Sequence, residues 1–303
     1  MPDRKTFQFL ADLAMRQGDR PHMRPVVEKE ILHCDILFAL DQEGLLDGLT
    51  FQGGTCLRLC HGSPRYSEDL DFVGGRHFAS ADLSIMGQCL TEHLGGRYGL
   101  AVQVKEPREL RDLPEYREIK VDKWRITVDT APEQRHVPRQ HIKIKVANIP
   151  AYSREPRDLR VNSDFLPDGY ADMLVLAETL DEIMADKVIS LVNCQAYVRN
   201  RDIWDLRWLR RQGASPHNEF IAAKFKDYDV IDFPDKVMDM IARLPGITHS
   251  KTFTDKLSRF LPLDVQARTL HKEKFRDFLA NEVGALLKSA LPSQVQQQAT
   301  LTP

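Results

Sequence analysis

The stretch from Gly53 to Asp71 combines two glycines, a threonine and two closely spaced carboxylates. Gly53 and Gly54 lack Cβ atoms, so the backbone there can turn sharply and come close to a ligand. Thr55 follows at the start of a predicted helix, whose free N–H groups favour an anion such as a phosphate. Asp69 and Asp71 stand two residues apart, and Mg²⁺ prefers carboxylate oxygens together with substrate phosphates. A phosphate cradle next to metal carboxylates predicts metal-assisted nucleotidyl transfer.

A strand, a helix and a second strand are predicted to position these groups. Leu49–Gln52 is a short β-prone run that ends at the glycines, and the helix after it has Thr55 as a candidate N-cap. Residues 69–73 alternate polar and apolar side chains, which places Asp69 and Asp71 on one face of a half-buried strand. A Gly-Gly turn alone is a weak signal, and a DxD pair alone often occurs on a solvated strand face. The prediction therefore rests on both motifs occurring together, in the order strand, glycines, helix and DxD strand.

The remaining patterns predict an α/β first half and a helical second half. Alternation predicts strands at 101–104, 124–129 and 141–146, the last two joined by a hairpin loop with Pro132 and Pro138. Helical periodicity is found at 26–47, 79–94, 175–193, 201–211, 217–225, 233–244 and 273–288. The expected segments are an N-terminal extension (1–24), a core (25–165), a helical C-terminal domain (166–290) and a disordered tail (291–303).

Composition limits the function classes. The 303 residues carry a formal net charge of −2, which by itself favours neither nucleic acid nor an acidic membrane, although a local basic patch can hide in the sum. The five cysteines form no CxxC pair and predict reduced core thiols. Neither a secretory signal nor a run of membrane-spanning length is evident, so we expect a cytoplasmic protein without a membrane partner.

Two separated blocks resemble one family. Phe51-Gln-Gly-Gly-Thr-Cys-Leu-Arg-Leu and Arg65-Tyr-Ser-Glu-Asp-Leu-Asp-Phe72 resemble the motif of the AbiEii/AbiGii/MenT nucleotidyltransferase toxins. The second block comprises Glu182-Ile-Met-Ala-Asp-Lys-Val-Ile-Ser and Arg199-Asn-Arg-Asp-Ile-Trp-Asp-Leu206, and Glu28-Lys-Glu is a weaker third match. The resemblance implies an α/β (α+β) nucleotidyltransferase-like (polymerase-beta-like) core with a mixed sheet, followed by a mostly helical C-terminal region.

The second block implies further site residues. Lys187 corresponds to a lysine that would neutralise the triphosphate, although most helix lysines are simply solvated. One aspartate of the block belongs to the family's active site, and we slightly favour Asp205 over Asp202, which can also cap a helix. A structural pairing of these acids with Arg201 or Arg65 is the rival interpretation. The resemblance implies that this block completes the site from the helical lobe.

Two residues just before the DxD pair are ambiguous. Ser67 is a candidate phosphate ligand, but it can equally hold the entry to the strand. Arg65 is predicted to meet either a phosphate or Glu68.

One departure from the family concerns a third carboxylate. Relatives often carry an acid on the strand where this chain reads Ile144-Lys-Val-Ala-Asn148, which holds neither Asp nor Glu. Asp129 is a candidate substitute, although an aspartate at a hairpin end is also typical of a turn. If no third acid exists, we expect Asp71 to act as the base or the activity to be low.

Three functions follow as hypotheses. The first is a toxin of a toxin–antitoxin or abortive-infection system that uses Mg²⁺ (or Mn²⁺) to transfer a nucleotide from an NTP to the 3′ end of tRNA, with a cognate antitoxin as partner. The second is transfer to a protein or to a small molecule such as an aminoglycoside, and the third is nucleotide binding with weak catalysis. Candidate RNA contacts are Arg207, Arg210, Arg211, Lys224, Lys226, Lys251 and Lys256.

Overall fold

The chain forms two compact units, Met1–Glu178 and Thr179–Pro303. The computed structural model describes residues 6–16, 22–107, 121–134, 137–159, 170, 172–194 and 196–291. The domain boundary predicted after residue 165, and the predicted tail from Pro292 onward, lie outside the described residues.

Among the described residues of the first unit, seven strands form one mixed sheet. Its strands are β1 Thr50–Gln52, β2 Leu70–Val73, β3 Ala101–Lys105, β4 Val121–Asp129, β5 Gln140–Ala147, β6 Glu155–Asp158 and β7 Leu174–Ala177. Their order is β3-β4-β5-β2-β1-β7-β6. The β2–β5 and β1–β7 pairs are parallel and the other pairs are antiparallel, which confirms the predicted mixed sheet.

Alternation along β4 and β5 explains how the sheet separates a core face from a polar face. Trp124, Ile126 and Val128 are buried, as are Ile142, Ile144 and Val146 on the neighbouring strand. Successive side chains of a strand point to opposite faces, so the lysines and arginines between these residues lie on the other side. The β4–β5 pair is antiparallel, as the hairpin prediction requires.

Four helices and one 3₁₀ turn accompany the sheet in the described residues of the first unit. They are α1 Phe7–Arg16, α2 Arg24–Gln42, α3 Gly53–Leu59, the 3₁₀ turn Ser80–Leu83 and α4 Met86–Tyr98. The helix predicted over 79–94 is therefore divided into a turn and a later helix. Helix α1 contacts the rest of the unit, because Phe7 is buried against the ring of Tyr98 and the Gln8 amide donates to the Thr130 carbonyl over 2.7 Å.

The prediction of helix from residue 175 was wrong at its start. Leu174–Ala177 is strand β7, in which Ala177 pairs with Phe51 of β1, and the helix begins only at Leu180. A short apolar run does not distinguish a buried strand from a helix by periodicity alone. Strand partners that are distant in sequence decide the conformation of this segment. Strand β7 also pairs with β6, Glu155–Asp158, which adds a further strand to the sheet.

The second unit is helical throughout its described residues. Its helices are α5 Leu180–Asn193, α6 Asn200–Arg211, α7 Asn218–Asp227, α8 Phe233–His249, α9 Lys251–Ser258, α10 Leu263–Arg268 and α11 Glu273–Ser289. The sequence patterns had not predicted α9 and α10. Helix α9 nevertheless carries a clear start signal, because the Ser250 side chain accepts from the Phe253 N–H over 3.1 Å, and Phe253 and Leu257 are buried.

Neither a membrane span nor a disulfide is found in the described part of the chain. None of its helices combines the length and the apolar character needed to cross a bilayer. All five cysteines are free, with Cys34, Cys56 and Cys60 buried and the other two partly exposed. Burial raises the pKa of the Cys34 and Cys56 thiols, so both are held neutral in the core.

Candidate active site

Asp69 and Asp71 converge on the ammonium group of Lys145. Asp71 lies in β2 opposite Lys145 of the parallel strand β5, and Asp69 stands just before β2. The Lys145 Nζ is 3.0 Å from the Asp69 Oδ2 and 3.1 Å from the Asp71 Oδ1. The carboxylate side chains are 23% and 29% exposed, so the pair remains open to solvent on one side. The prediction that both acids share one strand face is confirmed.

The electrostatics of this group favour a cation between the two acids. Burial by itself lowers the pKa of Lys145, but the charges of Asp71 and Asp69 outweigh it, and the net effect raises the pKa. One lysine and two carboxylates leave a formal charge of −1. The group therefore has both the oxygen donors and the negative charge that a hard divalent cation requires, while the ammonium already occupies a place between them.

The strand register corrects the expectation for Asp129. Lys145 pairs with Lys123 on β4, and Asp129 lies six residues further along that strand. At the rise of a β-strand this corresponds to about 20 Å, far beyond the reach of a carboxylate. The Asp129 carboxylate instead lies 3.5 Å from the Arg139 guanidinium at the hairpin end. Asp129 does not replace the missing third acid, and the residue opposite Asp71 is a lysine.

Both glycines of the motif are required by their neighbours within the fold. Gly53 has φ +76°, and a Cβ there would lie 3.0 Å from the Asp71 Oδ2. A Cβ on Gly54 would lie 2.5 Å from the Arg65 guanidinium and 3.0 Å from the Ser67 hydroxyl. The glycines thus allow the start of α3 to lie directly against the DxD segment.

Thr55 connects the helix to this segment in a way that differs from the prediction. Helix α3 begins at Gly53 with Gln52 as its N-cap, so the N-cap prediction for Thr55 was wrong. The buried Thr55 hydroxyl donates to the Asp69 backbone carbonyl. This bond fixes the position of Asp69 relative to the glycines.

Arg65 and Ser67 are buried against the same glycine. Arg65 is 2% exposed and donates through Nη1 to the Tyr66 carbonyl over 2.7 Å, and Ser67 is 8% exposed. The neighbouring Glu68 carboxylate lies 3.1 Å from the Lys29 ammonium. Packing beneath Gly54 therefore accounts for the positions of Arg65 and Ser67, and their contact with a phosphate stays a prediction.

The three residues of the weak Glu28-Lys-Glu match lie on helix α2 and contact neighbouring elements. The Glu28 carboxylate accepts from the Gln140 amide over 2.7 Å, and Lys29 holds Glu68. The Glu30 carboxylate binds the Arg58 guanidinium of α3 over 2.6 Å. All three side chains are therefore used to join α2 to neighbouring elements.

A second charged cluster lies within the second unit. The Lys187 Nζ is 2.7 Å from the Asp202 Oδ1 and 2.9 Å from the Asp205 Oδ2. Ser190 donates to Asp202 over 3.0 Å, and the Arg199 guanidinium also binds that carboxylate. The cluster joins helix α5 to helix α6 and brings together the residues that the second motif block predicted.

Asp202 is the centre of this cluster. Its side chain is 4% exposed, and that of Asp205 is fully buried. Burial alone raises the pKa of Asp202, but Lys187 and Arg199 lower it more strongly, so the carboxylate stays ionised. A buried ionised group with a strongly shifted pKa is typical of functional sites, although structural networks produce the same effect. Asp205 also binds Lys187, over 2.9 Å, so these contacts do not decide between the two aspartates and the slight preference for Asp205 stays a prediction.

Lys224 was wrongly predicted as an RNA contact. Its side chain has no exposed surface, and its ammonium lies 2.8 Å from Glu182 and 2.9 Å from Asp186 of α5. A lysine enclosed in this way holds α7 against α5 and cannot reach a phosphate. Five of the other candidates are exposed and Arg207 is half-buried; the exposed residues are Arg210, Arg211, Lys226, Lys251 and Lys256.

The sequence patterns missed the lysine at the centre of the DxD pair. Lys145 appeared only as a polar position of an alternating strand, and nothing in its local sequence identifies Asp71 as its neighbour. The parallel pairing of β2 with β5 supplies that information. The only hint in the sequence that this strand differs from the family was its lack of an acidic residue.

The mixed sheet, the glycine turn and the paired carboxylates are the features expected of a nucleotidyltransferase. Residues 35–291 match the family described as nucleotidyl transferase AbiEii toxin, type IV TA system, and the chain belongs to this family. It is thus a nucleotidyltransferase toxin of a type IV toxin–antitoxin system. Such a protein uses an NTP, and an antitoxin is its partner.

Solved structures show a similar fold. MenT4, a nucleotidyltransferase toxin from Mycobacterium tuberculosis H37Rv, is 16% identical, with a TM-score of 0.55 over 97% of this chain and 93% of that chain. JHP933 from Helicobacter pylori is 17% identical, with a TM-score of 0.43 over 91% of this chain and 94% of that chain. No match was found among curated proteins.

Proposed function

We propose that this toxin transfers a nucleotide from an NTP to the 3′ end of tRNA, with Asp69 and Asp71 as ligands of an essential Mg²⁺ or Mn²⁺. The observation that carries the proposal is the convergence of both carboxylates on one cation position, 3.0 and 3.1 Å from the Lys145 ammonium. When bound there, the divalent ion would polarise the phosphate under attack. This role follows from the donor chemistry of the two residues, which are hard oxygen ligands open to solvent.

The phosphates of the NTP are assigned to the backbone of Gly53 and Gly54. The glycine backbone has no side chain between it and the DxD pair, so a phosphate near the metal can approach it closely. Lys187 of the second unit is proposed separately as a phosphate ligand, and Asp202 and Asp205 hold its ammonium now. An incoming phosphate would therefore have to compete with these carboxylates for the ammonium. Arg65 and Ser67 lie against Gly54, and we propose them as further phosphate ligands.

The proton of the attacking hydroxyl needs an acceptor. With Lys145 opposite Asp71, the strand offers no third carboxylate for this purpose. Asp71 is the nearest candidate base, since its two oxygens can serve a metal and a proton separately.

A transfer assay tests the proposal. The purified protein is incubated with each α-³²P-labelled NTP and with total tRNA, and the products are separated on a denaturing gel. Wild type should label tRNA only when Mg²⁺ or Mn²⁺ is present, and Asp69→Asn and Asp71→Asn should not. Asp129→Asn is the matched control because it removes the same charge at the far end of the neighbouring strand.

The outcomes distinguish the competing functions. Equal labelling by wild type and both Asn variants would contradict the proposal. Label that migrates with protein or with an added aminoglycoside would replace tRNA by that acceptor. Tight NTP binding by calorimetry with no labelled product from any acceptor would favour a nucleotide-binding protein with weak catalysis.

A further inference from the structure

Lys145 occupies the place where a cation would neutralise Asp69 and Asp71. Its Nζ is within hydrogen-bond distance of both carboxylates, on a side chain that is 29% exposed. The alternation of β5 places this side chain on the polar face, and the parallel register brings it opposite Asp71. Strand pairing therefore sets the position of the Lys145 ammonium, so its contact with the two carboxylates is a consequence of the fold.

We propose that Lys145 is the resident counter-ion of the DxD pair, and that a divalent metal binds there only in competition with its ammonium. The inference rests on the proposed metal role of Asp69 and Asp71. It adds that this chain has a cation of its own at the site, so its affinity for a metal is lower than the two carboxylates alone would provide.

The physical reason is the charge balance at the pair. Two carboxylates that face each other repel, and either an ammonium or a metal ion relieves the repulsion. A divalent ion has the larger charge but must displace an ammonium that already binds both groups. Without Lys145 the same carboxylates would carry a formal charge of −2 and attract the ion more strongly.

A metal titration without nucleotide tests this directly. Free Mn²⁺ is followed by its electron paramagnetic resonance signal as it binds to wild type, Lys145→Gln and Lys145→Arg. We expect Lys145→Gln to bind Mn²⁺ roughly tenfold more tightly than wild type, a factor that corresponds to about 1.4 kcal/mol. Lys145→Arg retains the positive charge and should bind as weakly as wild type.

A matched control separates local competition from the change in net charge. Lys143→Gln removes the same charge two residues away on the same face of β5, and it should change Mn²⁺ affinity far less. The double variant Lys145→Gln with Asp71→Asn should lose the added affinity, which assigns the ion to the DxD pair. Lys145→Met replaces Lys145→Gln if the latter does not fold.

Thermal unfolding gives a readout that is independent of the titration. Lys145→Gln should unfold at a lower temperature than wild type in the absence of metal, because the two carboxylates lose their contacts with the Lys145 ammonium. Added Mn²⁺ should recover that loss by binding the folded state, and it should shift wild type less.

Failure of the inference and failure of the proposed function give different results. If wild type and Lys145→Gln bind Mn²⁺ equally and both depend on Asp71, the competition is disproved and the metal role remains. If neither binds Mn²⁺ through Asp71, the proposed metal role is wrong and the inference falls with it.

Discussion

Asp71 and Lys145 are register partners on the parallel strands β2 and β5, and their side chains meet with 3.1 Å between Oδ1 and Nζ. The two residues are 74 positions apart in the chain. Their pairing turns a DxD motif into a three-membered charge group. On β5 a lysine, and not an acid, stands opposite the second aspartate.

The first prediction concerns Asp71. Asp71→Asn keeps the shape of the side chain but removes half of the negative charge that a metal or Lys145 can bind. We expect nucleotide transfer to fall by roughly 10²–10³-fold, the usual effect of removing one electrostatic contact at a reacting centre. Initial rates of label transfer measure it. Asp129→Asn serves as the control, and a comparable loss in that variant would argue against the site.

The second prediction concerns the packing of Gly54. Gly54→Ala places a methyl group 2.5 Å from the guanidinium of the buried Arg65, which has little room to move. Overpacking of this kind should reduce the free energy of unfolding by about 1–3 kcal/mol. Urea denaturation measures the change. Gly48→Ala meets no atom within 4 Å and should leave stability almost unchanged, so an equal effect of both would refute the packing argument.

The third prediction concerns the buried Lys224. Lys224→Met retains the length of the side chain but leaves Glu182 and Asp186 without this ammonium. Removing one partner of a buried ion pair should destabilise the second unit by about 3–5 kcal/mol. Denaturation followed by tryptophan fluorescence in a Trp124→Phe background, which leaves Trp204 and Trp208, reports on this unit. Lys226→Met, at an exposed position of the same helix, should have almost no effect, and a stable Lys224→Met would show that the pair is dispensable.

The fourth prediction concerns the pH dependence of stability near the DxD segment. Burial lowers the pKa of His33 from 6.5 to about 4 despite the Glu68 carbonyl 3.1 Å away and the charges of Glu30 and Asp69, with Lys29 acting in the same direction as burial. Between pH 6.5 and pH 4 the His33 imidazole therefore stays neutral in the folded state, whereas it becomes protonated in the unfolded chain. Stability due to His33 is complete above pH 6.5 and decreases as the pH falls to 4.

The size of this effect follows from the shift. Each pKa unit corresponds to 1.36 kcal/mol, so His33 accounts for about 3 kcal/mol of lost stability over this range. Urea denaturation at pH 7 and pH 4.5 should show a smaller difference for His33→Gln than for wild type. His22→Gln, at an exposed position, should behave like wild type. An unchanged pH profile in His33→Gln would exclude His33 as the source.

Local patterns in the sequence predicted most of the elements of both units. Strands β2, β4 and β5 were predicted because one side of each is buried, which imposes a period of two. Strand β7 was missed because an apolar run of four residues fits either conformation. Its pairing with Phe51 depends on residues more than a hundred positions away.

The sequence by itself determined the chemistry available to this protein: two glycines, a DxD pair and a lysine–aspartate block whose order identifies the family. Only the tertiary structure decided how these groups are paired. In the folded chain Lys145 lies between Asp69 and Asp71, and Asp129 lies far from them. Lys224 is enclosed between Glu182 and Asp186. The physical reason is that residue type and spacing act over a few positions, whereas strand register and burial depend on partners far along the chain.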